Sequence, residues 1–418
     1  MADFIVDHNS PKRRRQTMFF LLVLLGLTRA LGMAPLLQNE DPVPGQYIVQ
    51  LEPFGNIYDV TDEMESNIPE NLIDTVHHVK LLSMDQTSNM AVMELDYISL
   101  AKLRKYPYVK YIEQDAYVQV HDEEPVLAEN ITERAKETRT YEKARWGLDR
   151  INQEYLPMDG DWELSGNGFG AHVYIIDTGV KDTHRDFECR VDRVEDVTGS
   201  DGSDCKGRGT KVAGIVGGKT YGVANKVTMH SIRVMNCAGT GTVSDIISGI
   251  DWVIKNHVQP CVAVLPFFTP PSRKLDESVE ELADAGCLPV TAAGNDPQKT
   301  ELDACDFSPA RSPFAITVSA TDEDDYRAES SRYGTCVDIF APGVFVKTTD
   351  PQGGNKFCYA SGSSFACGFV AGVAAIHLAN GVTASEVRQR ILNDATVCPI
   401  NDSGRGTPNR FLYISPPQ

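Results

Sequence analysis

The sequence predicts an α/β fold: a parallel sheet covered by helices on both faces, preceded by a small α+β domain. Three observations lead there. From Arg145 onward, apolar runs of strand length alternate with helical patterns, and that alternation implies parallel strands joined by helical crossovers. Before that, the order strand, helix, strand, helix, strand over residues 45–115 suits a compact α+β sandwich. Between them lies a charged, Glu-rich stretch with no apolar period, residues 120–145, which reads as a linker. At 418 residues the chain has room for two or three domains. A content of 42% hydrophobic and 23% charged residues is that of an ordinary globular chain.

The N-terminus reads as a secretory signal region, residues 1–32. Lys12-Arg13-Arg14-Arg15 is a basic start, residues 18–27 are apolar but too short to span a bilayer, and Ala30-Leu31-Gly32 offers small residues for cleavage. Met18 is an alternative start within it. No later segment is long and apolar enough to span a membrane. The expected location is therefore extracellular. Ten cysteines agree with an oxidising compartment and disulfides, and Asn130-Ile131-Thr132 and Asn401-Asp402-Ser403 are glycan acceptors. A net charge of −19 argues against nucleic acid as a partner.

Residues 33–43 read as a short linker. In the small domain, residues 44–119, Gln46-Tyr47-Ile48-Val49-Gln50-Leu51 alternates as a strand and a helix follows over 71–78. Met90-Ala91-Val92-Met93-Glu94-Leu95 is a strand, 98–105 a helix and 109–115 a strand. In the large domain, residues 146–415, strands are expected at 173–176, 227–235, 262–265, 287–293 and 315–320. Helices are expected at 243–255, 275–285, 364–378 and 385–392.

Four positions concentrate the chemistry. Asp177, in Ile176-Asp177-Thr178-Gly179, ends an apolar strand, where open α/β sheets place functional groups. Arg208 opens a small-residue helix in Gly207-Arg208-Gly209-Thr210-Lys211-Val212-Ala213-Gly214. Ser364, in Ser361-Gly362-Ser363-Ser364-Phe365-Ala366, sits at a helix start, which exposes its hydroxyl and favours developing negative charge. Asn295, in Thr291-Ala292-Ala293-Gly294-Asn295, ends a buried strand with an amide able to donate to an oxyanion. No Cys or His spacing makes a zinc site. No cofactor is expected, and structural calcium is left open.

In this order the blocks resemble the catalytic blocks of the subtilases, serine endopeptidases whose catalytic residues run Asp, His, Ser along the chain. The resemblance is to the proteinase K branch and covers residues 45–119 and 145–395. Arg233-Val234-Met235-Asn236-Cys237 and Gly239-Thr240-Gly241-Thr242-Val243-Ser244 carry a closer likeness to proprotein convertase subtilisin/kexin type 9. So does Cys336-Val337-Asp338-Ile339-Phe340-Ala341-Pro342-Gly343. The resemblance implies a subtilisin-like sheet and an inhibitory propeptide domain, the latter through Pro44-Gly45-Gln46-Tyr47-Ile48-Val49. It also implies disulfides Cys205–Cys237 and Cys305–Cys336, with Asp177, Ser364 and Asn295 in catalytic positions.

The chain departs from the family where it matters most. Arg208 stands where the family has its histidine, and arginine cannot act as a base at physiological pH. Lys211 replaces a second histidine, and Pro266-Phe267-Phe268-Thr269 replaces a Ser-Leu-Gly-Gly strand that pairs with substrate. The expectation is thus a secreted pseudoprotease acting by protein binding, with its own propeptide domain and an extracellular receptor or other protein as partners. Two alternatives stand beside it: an active endopeptidase using Ser364 with another base, His184 included, and a permanently self-inhibited storage or structural protein.

Overall fold

The structure is a computed structural model, and it describes residues 32–53, 55, 58, 79–120, 145–298, 300 and 303–415. The signal region up to residue 31, the helix expected over 71–78, the body of the acidic linker and Asn130 lie outside the described residues. The chain divides into two compact units, residues 1–116 and 117–418.

In the first unit, β1 (Leu36–Leu37), β2 (Pro42–Leu51), β3 (Val79–Asp85), β4 (Met90–Leu95) and the start of β5 (Val109–Gln119) form a sheet in the order β1-β5-β2-β4-β3. The segment 33–43, expected as linker, carries β1, which pairs parallel to β5 through Leu36 and Ile112. The linker reading of 33–43 overlooked this short apolar pair, Leu36-Leu37. Helix α1 (Tyr97–Leu103) starts where Asp96 accepts a hydrogen bond from the Ser99 backbone N–H at 2.7 Å. It ends two residues before Lys105, the expected limit. Val49, Leu51, Met93, Leu100, Leu103 and Ile112 form the core of this unit.

In the second unit, nine strands run in the order β16-β17-β13-β12-β11-β10-β6-β8-β7. They are β6 (His172–Asp177), β7 (Val191–Asp196), β8 (Thr228–Arg233), β10 (Cys261–Leu265), β11 (Cys287–Ala292), β12 (Ile316–Thr321), β13 (Ile339–Pro342), β16 (Thr396–Val397) and β17 (Arg410–Phe411). All neighbours pair parallel except β16, which is antiparallel to β17 at the edge, so the sheet is mixed. The central strands are buried on both faces, which explains their continuous apolar runs.

Helices α2 (Trp146–Ile151), α3 (Arg208–Gly217), α4 (Val243–Asn256), α5 (Arg273–Asp284), α6 (Ser363–Ala379) and α7 (Ala384–Asp394) accompany the sheet. Helix α4 opens with a reciprocal cap between Thr242 and Asp245, and α5 with Ser272 accepting from the Leu275 N–H. Helix α6 is apolar nearly all round and accordingly almost wholly buried. Two short antiparallel strands, β14 (Val346–Thr349) and β15 (Phe357–Ala360), form a hairpin outside the main sheet.

Both disulfides implied by the resemblance are present, Cys205–Cys237 and Cys305–Cys336. A third joins Cys261 to Cys287, residues directly paired across β10 and β11. Cys189, Cys358, Cys367 and Cys398 are free thiols. Cys367 is fully buried and donates to the Val290 carbonyl at 3.3 Å; burial pushes its thiol pKa up, as befits a small core residue.

Candidate active site

The sheet places Asp177 at the C-terminal end of β6 and turns the following residues over it. Thr178 carries the support: its hydroxyl donates to Asp204 at 2.9 Å and accepts from the Gly209 N–H at 3.0 Å. Asp204 also accepts from the N–H groups of Gly207 (2.6 Å) and Thr210 (2.9 Å), so one buried carboxylate ties the start of α3 to the end of β6. Gly209 is needed for this approach, because a Cβ there would sit 2.1 Å from the Gly179 carbonyl oxygen. Asp204, beside the Cys205–Cys237 bridge, carries no motif of its own, and sequence reasoning missed it.

Arg208 is thereby delivered to the carboxylate. Its Nη1 lies 3.6 Å from Asp177 Oδ1, with the two side chains 4% and 0% exposed. Asp177 Oδ1 also accepts the Thr178 N–H at 2.7 Å. On the far side, Arg208 Nη2 lies 3.4 Å from Ser364 Oγ. The guanidinium thus bridges the space between carboxylate and hydroxyl. Both contacts are longer than charge-assisted bonds usually are, so they reflect packing and charge more than tight hydrogen bonding.

Ser364 is the second residue of α6. Its hydroxyl donates to the Pro266 carbonyl at 2.8 Å, and so points at the main chain after β10 rather than at a base. Asn295 follows β11. Its Oδ1 accepts from the N–H and the hydroxyl of Ser363, each at 3.0 Å, so its carbonyl end is tied to the start of α6. Asp177, Arg208, Asn295 and Ser364 are therefore brought together from four separate parts of the chain.

His184 does not join them. It is 1% exposed, its Nδ1 accepts from the Asp186 N–H at 3.1 Å, and its ring meets Phe187 and Phe357 edge-on. Burial lowers its pKa. Lys211, one turn into α3, is half-buried. Among the described residues no group of three or more His, Cys, Asp or Glu converges as a metal site. None of their helices is long and apolar enough to cross a membrane.

Just before α4, residues 117–119 of β5 pair antiparallel with β9 (Thr240–Thr242), and the Val120 N–H donates to the Gly239 carbonyl at 2.9 Å. An extended segment of the chain thus adds a strand beside the residues leading into α4.

Comparison with known proteins agrees with this architecture. The subtilase family (peptidase S8) matches residues 168–412. An extracellular serine proteinase of Thermus sp. is 37% identical over 399 residues, covering 91% of this chain and 92% of that protein. An alkaline serine protease of Corniculantispora psalliotae is 34% identical over 392 residues, covering 91% and 93%. The crystal structure of a cold-adapted subtilisin-like serine proteinase is 41% identical with a TM-score of 0.61, covering 64% of this chain and 97% of that one. The nearer likeness to a type 9 convertase rests on the sequence motifs alone. By its fold, by the arrangement of its motif blocks in space and by these relatives, the chain belongs to the subtilase family.

Proposed function

We propose that this subtilase is secreted, does not turn over peptides, and acts by binding another protein. One observation carries the reading: a guanidinium lies between Asp177 and Ser364, at 3.6 and 3.4 Å, in the place where a general base has to be. A serine hydroxyl without an adjacent base is a weak nucleophile, and losing the base costs about a million-fold in turnover. Asp177 then serves as counter-ion to Arg208, Ser364 as a helix-start hydroxyl bound to Pro266, and Asn295 as a tie to α6. No cofactor is needed for such a role. The extracellular character of the Thermus relative, the disulfides and the basic-apolar N-terminus support secretion.

The test is active-site labelling. The purified chain is incubated with a fluorophosphonate alongside an active subtilase. Absence of label on Ser364 is expected; stoichiometric labelling sinks the reading and restores the endopeptidase alternative. A self-inhibited protein is the second reading, favoured by the strand that residues 117–119 add to β9. It predicts that peptides pair with β9 only after residues 117–119 are removed.

A further inference from the structure

The two segments that flank the start of α6, the chain after Pro266 and the turn at Gly294-Asn295, hold a packed cluster of the protein's own side chains. For Ser364 Oγ to attack a peptide, the carbonyl carbon must come within about 3–3.5 Å of it, with the carbonyl oxygen toward Asn295. The adjoining side chain would need room between the two segments that border Ser364, the chain at Pro266-Phe267-Phe268 and the turn at Gly294-Asn295. Here the Phe268 ring occupies that gap, 3.1 Å from where a Cβ on Gly294 would stand. Arg332 lies against it. Its guanidinium is 4.1 Å from the centre of the Phe268 ring and 3.6 Å from that of Phe307, and the two rings meet edge to face at 5.7 Å. Arg332 Nη1 passes over Gly294, 2.5 Å from the same Cβ position. The φ of 91° there excludes a side chain on conformational grounds as well.

The environment of Arg332 is unusual for an arginine. It is 5% exposed, and its buried Nε and Nη1 have no hydrogen-bond partner. What stabilises the cation is the pair of aromatic faces, with more distant help from the charges of Asp296 and Asp306. Burial outweighs that help and lowers its pKa to about 10, so it stays charged at neutral pH. Flat aromatic walls with nearby carboxylates are selective for a flat cation.

We propose that the slot formed by Phe268, Phe307 and Gly294 is a guanidinium-binding recess occupied in cis by Arg332, and that without Arg332 it accepts an arginine side chain from a peptide in trans. It rests on the reading above in one respect, that the cleft is a binding surface and not a hydrolytic one. The cleft is then closed twice: Arg208 replaces the base, and Arg332 fills the place of the substrate side chain next to the reacting carbonyl.

Agmatine, an alkylguanidine, is the probe, titrated calorimetrically into the full-length chain. Arg332→Ala is expected to bind it at least tenfold more tightly than the wild type does. The variant should also prefer it at least tenfold over pentanamide, a neutral probe of similar length. Equal binding to wild type and variant, or no preference for the cation, overturns the proposal. A second measurement needs no Arg332 variant. In the wild type, phenylglyoxal should modify Arg332 at least tenfold more slowly than the exposed Arg405, read by mass spectrometry. Comparable rates would mean that the recess stands open, and overturn it too. Neither readout passes through Ser364 reactivity. A labelled Ser364 therefore sinks the non-hydrolytic reading alone, and undiscriminated agmatine binding sinks the recess alone.

Discussion

At the scale of single residues, Arg208 has two consequences on the proposed reading: it stands where a base would have to be, and it lies as a counter-ion beside a fully buried Asp177. These separate in mutants. Arg208→Met takes the guanidinium from beside the carboxylate, and breaking a buried pair from one side costs about 3–5 kcal/mol. We expect a loss of about 3 kcal/mol in urea unfolding at neutral pH; a change below about 1 kcal/mol would show that Asp177 is satisfied by its other contacts. Arg208→His returns an imidazole near Ser364 and should raise fluorophosphonate labelling. Peptide hydrolysis in trans should stay near background, because Phe268 and Arg332 still fill the gap beside the hydroxyl. Adding Arg332→Ala to Arg208→His, with both aromatic walls kept, should then raise turnover at least ten-fold for peptides with arginine before the scissile bond. Robust turnover by Arg208→His alone would show that the cleft admits substrate as it stands. Misplacing substrate by about 1 Å is worth roughly a hundred-fold, so these changes are large enough to read.

At the scale of elements, two neighbouring interior strands of the large sheet hold a titratable cluster. His172 on β6 and His230 on β8 are directly bonded, Nδ1 to Nε2 at 2.9 Å, and His230 stacks on Tyr174 at 4.4 Å. Burial, with His172 close by, lowers the His230 pKa to about 4, while Asp192 on β7 pulls the other way. Between that value and the ordinary histidine value the unfolded chain binds the extra proton and the folded one does not. Stability should therefore be full above about pH 6.5 and fall as pH drops toward 4. Unfolding midpoints at pH 7, 5.5 and 4 check this. His230→Gln should flatten the decline, and an unchanged slope would remove His230 as its source. On the neighbouring pair of strands, Cys261–Cys287 closes a loop of 26 residues, worth about 3–4 kcal/mol by loop entropy. Non-reduced peptide mapping should find this bridge with the two others and leave Cys189, Cys358, Cys367 and Cys398 as thiols. Free Cys261 and Cys287 would contradict the register of β10 and β11.

At the scale of the whole molecule, the non-hydrolytic reading proposed above means that the chain has no means of cutting itself. The chain should remain covalently continuous through residues 100–160 when made in a host lacking other proteases. The strand that residues 117–119 lend to β9 then stays tethered, and tethering holds its local concentration high without any new contact. Intact mass and N-terminal sequencing test this; a new N-terminus within 116–146 would show self-processing and return Ser364 to the active class.

What the sequence determined by itself was whatever lies in local pattern. Alternating apolar runs located most central strands and helices to within a few residues, because a strand buried on both faces has to be apolar throughout. The blocks around Asp177, Arg208, Asn295 and Ser364 were legible because each is a strand end or helix start with its own glycines. The loss of the histidine needed only the identity of residue 208. What the tertiary structure alone decided was adjacency between distant segments. Spacing could not show that Cys261 and Cys287 face each other, since strand register is a property of the sheet. Nor could it show that Asp204 ties α3 to β6, because one carboxylate among many acidic residues has no signature. The hairpin β14–β15 and the short β1 escaped for want of periodicity. Arg332 carries no motif of its own in the sequence. Only the folded chain puts it between Phe268 and Phe307, because a cation–aromatic stack is made by elements that the sequence keeps apart.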